Sequence, residues 1–120
     1  MEGTPDKPDL NYLNTFAKGD PAIILKYIKL FLDSAPALLT GIEQALQTSD
    51  HGKLLSAIHT LKPQLQFMGI SQAFHQAKTT EVLLRKEQVI TEEARTEAAF
   101  ICSEVKIALS ELEEIKRELS

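Results

Sequence analysis

The sequence predicts an all-α protein, an up-and-down antiparallel four-helix bundle with a short N-terminal helix packed across it. Apolar residues recur at alternating steps of three and four, helix-capping residues precede the apolar stripes, and no segment alternates with the strand period of two. The 120 residues, 43% hydrophobic and 25% charged, have the composition of one globular domain. We therefore expect a single helical domain over residues 9–120, preceded by a flexible polar tail over residues 1–8.

The short N-terminal helix is predicted between a capping carboxylate and a glycine. Asp9 is placed to accept hydrogen bonds from the first free amides of the helix. Gly19 is suited to the left-handed conformation in which many helices end. The apolar residues between them are Leu10, Leu13, Phe16 and Ala17.

The second helix begins with a strong signal, since Asp20 supplies a capping carboxylate and Pro21 fits the first helical position. We expect this helix to run to about Thr48. Pro36 lies inside it and removes one backbone hydrogen bond, so we expect a kink or a restart capped by Ser34. The predicted buried stripe is Leu25, Ile28, Leu32, Ala35, Leu39, Ile42 and Leu46.

Three further helices follow the same rules. Asp50 is the predicted cap of the third helix and Gly69 its end, the fourth covers about residues 71–86, and Thr91 caps the fifth. The predicted buried stripe of the third helix is Leu54, Ile58, Leu61, Leu65 and Met68. That of the fifth helix is Ala94, Ala98, Ile101, Val105, Ala108, Leu112, Ile115 and Leu119. Core packing in a monomer explains these stripes, and a homodimeric coiled coil through the last helix is the alternative.

Composition and motifs exclude most other classes of protein. A net charge of −4 gives no reason to expect nucleic acid as a partner, and no apolar run is long enough to span a membrane. The lone Cys102 has no partner for an intrachain disulfide, and we expect it to be buried in a cytoplasmic protein. The motifs of common hydrolases and phosphate-binding loops are absent, so an enzyme is not expected.

The three histidines are His51, His59 and His75, and their spacing does not predict a metal site. His51 and His75 are expected to be ordinary surface residues. At 100° per residue, His59 lies about 100° from Ile58, away from the apolar stripe, and is expected to face solvent. A neutral imidazole is a nucleophile that needs no activating base.

The surroundings of His59 are polar and positively charged. Lys62 and Gln66 lie near it on the same helical face, one and two turns further along. Residues 53–86 carry five basic groups and one acidic group, whereas both flanking thirds of the chain are acidic. This segment is therefore expected to attract an anionic group or an acidic partner surface.

The stretch AIHTLKPQLQFMGI, residues 57–70, resembles the signature of histidine-containing phosphotransfer (HPt) domains. The histidine is followed by a hydrophobic residue two positions on, a lysine three positions on and a glycine ten positions on. The upstream pattern is also similar to that family, with its usual residues at Gly19, Asp20, Phe31, Pro36, Ala45 and Asp50. The resemblance covers most of residues 10–86.

This resemblance implies a phosphocarrier without kinase activity of its own. It implies that His59 accepts a phosphoryl group, that Lys62 helps to hold that group, and that Gly69 is the family glycine. Gln66 is expected to hydrogen-bond the imidazole or the phosphoryl group, or to be merely solvated. The implied partners are receiver domains of response regulators and a hybrid sensor histidine kinase. No cofactor is expected on this chain, and Mg²⁺ is expected in the receiver.

One position departs from the family pattern, because Pro63 stands where a glycine usually follows the histidine by four residues. Proline cannot donate to the carbonyl of His59, which changes the docking surface. The alternative function is therefore a degenerate module that binds a receiver or another protein without accepting phosphate. Phe67 and Ile70 also fall on the polar side, covered either by the N-terminal helix or by a partner. Pro63, Phe67, Gly69 and Ile70 are the predicted docking residues.

Overall fold

The computed structural model describes residues 8–120, and within them every regular element is an α-helix. The prediction of a flexible tail concerns residues that lie outside this range, apart from Pro8. The all-α class is confirmed, with five helices: α1 (Asn11–Phe16), α2 (Pro21–Thr48), α3 (His51–Phe67), α4 (Ser71–Lys86) and α5 (Glu92–Leu119).

Three long helices begin at the predicted caps. The Oδ1 atom of Asp20 accepts a hydrogen bond from the amide of Ala22 at 2.9 Å, and Pro21 occupies the first helical position. Asp50 caps α3 in the same way, and the hydroxyl of Thr91 caps α5. Each cap satisfies an amide that has no partner within its helix. These starts are therefore encoded locally.

The N-terminal segment departs slightly from its prediction. The residue at the cap position of α1 is Leu10, which makes no side-chain cap bond, while Asp9 accepts from the amide of Asn11 at 3.0 Å. The predicted acceptor is thus correct and the predicted cap is wrong by one residue. At the other end Gly19 was expected in the left-handed C′ position, but α1 ends with Ala17 as its C-cap, so the C′ residue is Lys18, with a φ of 53°. Gly19 follows it and is also left-handed, with a φ of 75°.

Helix α2 runs unbroken from Pro21 to Thr48, so the expected restart at Ser34 is wrong. The loss of one amide donor at Pro36 is tolerated because α2 is held by packing against α3 and α5 on both sides of the proline. The hydroxyl of Ser34 donates instead to Oε1 of Gln64 on α3, at 3.1 Å.

The buried stripe of α2 is shifted by one residue at three of its seven predicted positions. It comprises Ile24, Ile28, Phe31, Ala35, Leu39, Ile42 and Ala45, whereas Leu25, Leu32 and Leu46 are only partly buried at its edge. Where several adjacent residues of α2 are apolar, the sequence pattern does not show which of them faces the core. The five apolar residues predicted for the third helix are all buried, four within α3 and Met68 at its C-cap.

The four long helices enclose one hydrophobic core. Helix α2 contacts α3 and α5, and α4 contacts the same two helices. The largest fully buried side chains come from all four of them and include Ile28, Ile42, Leu54, Ile58, Leu61, Leu84, Ile101 and Leu112. Among residues 8–120, none of the helices contains an apolar stretch of the length that a membrane span requires.

Gly69 joins this core to the N-terminal segment. Its φ is +69°, and a Cβ atom there would lie 1.9 Å from the carbonyl oxygen of Asp9. The amide of Asp9 donates to the carbonyl of Gly69 at 3.0 Å, and Leu13 of α1 is fully buried. Glycine is therefore required here both by backbone conformation and by the close approach of another backbone segment.

Candidate functional site

His59 projects from the middle of α3 beside α4, and its side chain is 61% exposed. The exposure predicted from the helical period is confirmed. The preceding residue, Ile58, and Leu61 are fully buried, so the backbone that carries the imidazole is anchored in the core. The site thus combines an accessible ring with a fixed helix.

A carboxylate of the neighbouring helix holds one nitrogen of this ring. The Nδ1 atom of His59 lies 2.8 Å from Oε2 of Glu81, which is only 8% exposed. The other carboxylate oxygen, Oε1, lies 2.7 Å from the Nζ atom of Lys62. Glu81 therefore links the imidazole to the predicted phosphoryl-binding lysine across the contact between α3 and α4.

A second cation reaches the same carboxylate from α4. Arg85 lies one turn beyond Glu81, and its Nη2 and Nε atoms donate to Oε2 at 2.6 and 3.1 Å. Lys62 and Arg85 together carry two positive charges against the single negative charge of Glu81. With a neutral imidazole, this cluster has a net charge of about +1 and favours an incoming anion.

The charge of Glu81 is secured by its partners. Burial raises the pKa of Glu81, but the contacts with Lys62, Arg85 and His59 outweigh burial and lower that pKa to about 2. The carboxylate is therefore ionised at neutral pH and can only accept hydrogen bonds.

This protonation state assigns the tautomer of His59. An ionised carboxylate 2.8 Å from Nδ1 requires a proton on Nδ1, which donates to Oε2 of Glu81. In the neutral ring the lone pair then resides on Nε2. The arrangement can therefore orient a nucleophilic nitrogen toward solvent and stabilise positive charge that forms on the ring.

An apolar groove lies between α2 and α3 on the same side of α3 as Pro63. Pro63 is exposed, and α3 continues through it without interruption. Phe67 is partly buried and makes edge-to-face contacts with Tyr12, Phe16 and Tyr27 at centroid distances of 5.3 to 5.4 Å. The groove is lined by Tyr27, Leu30, Phe31, Ser34, Pro63, Gln64, Phe67 and Met68.

Two of the predicted docking residues lie elsewhere. Ile70 is fully buried, because the turn at Gly69 reverses the chain and directs the following residue into the core. The prediction that Ile70 belongs to a docking surface is therefore wrong. Gly69 is partly exposed but lies against the backbone of Asp9, so its main contact is internal. Gln66 is exposed, two turns beyond His59.

The remaining histidines and the cysteine lie away from this site. His51 is partly buried, and its Nε2 atom lies 2.6 Å from the carbonyl oxygen of Leu84 and 2.9 Å from that of Glu87. It ties the start of α3 to the end of α4, so the surface role predicted for it is wrong. His75 is exposed as predicted. Cys102 is buried, and burial, together with nearby Glu43, raises the pKa of its thiol to about 11.

Glu81 and Arg85 are the site residues that the sequence analysis missed. They lie 22 and 26 positions after His59 on another helix, where the helical period of α3 gives no information. One signal was available, since Glu81 is the single acidic residue among residues 53–86. Within the described part of the chain, no group of histidine, cysteine, aspartate and glutamate residues could hold a metal ion.

The family model for the Hpt domain matches residues 26–117, and the chain therefore belongs to the Hpt domain family. It is also similar to a solved crystal structure, the HPT domain from the Hpt sensor hybrid histidine kinase from Shewanella. The two chains are 25% identical with a TM-score of 0.81, and the match covers 92% of this chain and 96% of the other. No curated protein matches the chain. Hpt domains are phosphocarrier modules of two-component systems rather than kinases.

Proposed function

We propose that the protein is a phosphorelay intermediate in which Nε2 of His59 accepts a phosphoryl group from the phospho-aspartate of a receiver domain and passes it to another receiver. The observation that carries this proposal is the 2.8 Å contact between Nδ1 of His59 and the ionised Glu81. That contact leaves Nε2 with its lone pair, on a ring that is mostly exposed.

In the acceptance step, the lone pair of Nε2 forms a bond to phosphorus while the bond from phosphorus to the aspartyl oxygen breaks. The electron pair of the broken bond leaves with the carboxylate of the receiver. The imidazole becomes a cation, because Nδ1 keeps its proton while Nε2 gains a substituent. Glu81 stabilises this cation through the hydrogen bond to Nδ1 and holds the ring in position.

The same interaction serves the return step. A ring that stays protonated on Nδ1 leaves phosphorus as a neutral imidazole, which is a better leaving group than an imidazolate anion. Glu81 therefore assists donation as well as acceptance, as a reversible relay requires. The position of Lys62 beside Glu81 supports its proposed role of binding the phosphoryl oxygens.

We place the receiver on the α2–α3 groove and on the neighbouring surface around His59. Pro63 and Phe67 contribute apolar surface to the groove, and Leu30 is exposed at its edge. The positive cluster beside it suits an acidic phosphoryl-bearing surface. Mg²⁺ is expected in the receiver, and Gln66 is kept as a weaker candidate for a contact with the imidazole or the phosphoryl group.

The test is phosphoryl transfer from several pre-phosphorylated receivers with Mg²⁺ to the purified protein. We expect an acid-labile, alkali-stable phosphoryl group on the wild type and none on His59→Gln. His75→Gln is the matched control, because it removes an exposed histidine outside the site. Equal labelling of wild type and His59→Gln would contradict the assignment.

The alternative is a binding-only module, which the proline at position 63 favours because it alters the surface beside the histidine. This alternative predicts that receivers bind wild type and His59→Gln equally and that neither protein is phosphorylated. The alignment of His59 with an ionised carboxylate supports transfer instead, since binding alone does not need that alignment.

We also infer how the helices are arranged. The contacts of α2 with α3, α3 with α4, α4 with α5, and α5 with α2 support an up-and-down antiparallel four-helix bundle. The packing of Tyr12 and Phe16 on Phe67 supports a short helix laid across that bundle. A monomer in the cytoplasm stays a prediction of the sequence.

A further inference from the structure

Arg85 occupies the site without a role in the transfer described above. It reaches Oε2 of Glu81, the same oxygen that accepts from Nδ1 of His59. The guanidinium and the imidazole therefore lie within two hydrogen bonds of each other. Its side chain is 55% exposed, so it can change partners without disturbing the core.

The geometry at Oε2 is crowded. Three N–H groups converge on this one oxygen, two from Arg85 and one from His59, whereas a carboxylate oxygen has two lone pairs. The bonds of Arg85 are therefore the ones that can be exchanged when a better acceptor appears. The ammonium of Lys62, which lies 2.7 Å from Oε1, has three donors and can therefore stay beside Glu81 while another donor meets the new acceptor.

Phosphorylation creates that better acceptor. A phosphoryl group brings up to two negative charges and three strong acceptor oxygens to a cluster whose net charge is about +1. A guanidinium offers five donors in a planar fork that matches phosphoryl oxygens, and Glu81 occupies two of them. Arg85 and Lys62 then approach the group from two different helices.

We propose that Arg85 is a second phosphoryl-binding residue, which Glu81 holds beside His59 in the free protein and which moves to the phosphoryl oxygens when His59 is phosphorylated. The inference rests on the proposed phosphorylation of His59. In a simple surface ion pair within α4, Arg85 would stay on Glu81 throughout. Here the guanidinium is expected to exchange its partner during the relay. It also predicts that phosphorylation releases Oε2 for His59 alone.

The test measures the equilibrium between the phosphorylated protein and a phosphorylated receiver. This equilibrium depends on the free energies of the separate proteins and not on how well they dock, so it isolates the stability of the phosphorylated site. We expect Arg85→Gln to shift the phosphoryl group toward the receiver by about 3- to 10-fold, as lost charge-assisted hydrogen bonds predict. Arg85→Lys keeps the charge without the fork and is expected to recover part of the shift.

Lys86→Gln is the matched control, because it removes the same charge from the neighbouring exposed position. A second readout distinguishes phosphoryl binding from a structural role. The ¹⁵N resonance of the Arg85 Nε is expected to move when His59 of the wild type is phosphorylated with phosphoramidate. Circular dichroism checks that each variant is folded.

The outcomes separate the two proposals. An equilibrium in Arg85→Gln equal to that in Lys86→Gln, with an unmoved Arg85 resonance, would overturn the role of Arg85 and leave the relay function intact. Wild-type protein that neither phosphoramidate nor any receiver phosphorylates on His59 would overturn the proposed function, and with it this inference.

Discussion

Two ion pairs connect neighbouring helices at the same distance but in different surroundings. Lys62 meets Glu81 at 2.7 Å between α3 and α4, and Lys106 meets Glu43 at 2.7 Å between α2 and α5. The side chain of Glu81 is 8% exposed, whereas that of Glu43 is 45% exposed. Distance alone therefore does not distinguish the buried pair at the proposed site from an ordinary surface pair.

The two ion pairs differ in the burial of the carboxylate and in the number of side chains that contact it. The carboxylate of Glu81 contacts a lysine, an arginine and a histidine. Burial raises the pKa of Glu81, but these contacts outweigh it and lower the pKa to about 2. Glu43 meets Lys106, whose ammonium is solvated, and exposed pairs of this kind contribute little to stability. The α3–α4 pair can therefore direct the chemistry of a third group, the imidazole of His59.

The largest effect is expected from Glu81→Gln. The amide can present its NH₂ group to Nδ1, which favours the tautomer with the proton on Nε2 and removes the nucleophilic lone pair. We expect the rate of phosphoryl acceptance from a receiver to fall by about 10- to 100-fold, by analogy with the loss of a partner that orients a metal-binding histidine.

Glu97→Gln is the matched control for this change. Glu97 accepts hydrogen bonds from Thr79 and Thr80 of α4 but does not contact His59. Rates that fall equally in the two variants would mean that Glu81 acts only through the packing of α4.

A smaller loss is expected from Lys62→Ala. This variant removes one cation from the proposed phosphoryl site but leaves the contact between His59 and Glu81 in place. We expect the acceptance rate to fall by about 3- to 10-fold and Lys62→Arg to recover most of it. Lys53→Ala is the control on the same helix, where the ammonium bonds Gln44. An undiminished rate in Lys62→Ala would refute its role.

The sequence predicts the parts of this account that depend on local pattern. The caps at Asp20, Asp50 and Thr91 and the exposure of His59 follow from side-chain chemistry and the helical period. The buried stripe of α2 was displaced because three adjacent apolar residues, such as Leu30, Phe31 and Leu32, do not reveal which one faces the core.

The partners of His59 could not be predicted in this way. Whether Glu81 lies opposite His59 depends on how far α4 is shifted along α3, and neither helix specifies that shift alone. The contact instead depends on the turn at Gly69 and on the packing of both helices. The same turn explains why Ile70, which the helical period of α3 places on the polar side, is buried.

We next expect Glu81, unlike Glu43, to make the stability of the protein depend on acidic pH. The pKa of Glu81 is lowered from 4.5 to about 2, so its stabilising contribution is fully present above pH 4.5 and is lost as the pH falls toward 2. We therefore expect the stability of the wild type to exceed that of Glu81→Gln at pH 6 and to approach it near pH 2.

Urea unfolding at several pH values measures this difference. Because the other carboxylates titrate in both proteins, subtracting one pH profile from the other isolates Glu81. A difference that stays constant between pH 6 and pH 2 would show that Glu81 is not stabilised as an anion.

The smallest effect is expected at the exposed pair. Glu43→Gln removes one partner of Lys106, but both side chains stay solvated. We expect no resolvable change in the unfolding midpoint and no change in phosphoryl acceptance. A loss of phosphoryl acceptance in Glu43→Gln would mean that the exposed pair also affects the transfer, contrary to the difference expected from burial.

The orientation of His59 by Glu81 is tested most directly by identifying the ring nitrogen that carries the phosphoryl group. ¹⁵N-labelled protein is phosphorylated on His59, and phosphorus–nitrogen couplings are measured by NMR. We expect a bond from phosphorus to Nε2, with Nδ1 still protonated toward Glu81. A phosphoryl group on Nδ1 would contradict it, because that nitrogen would have to leave Glu81 to react.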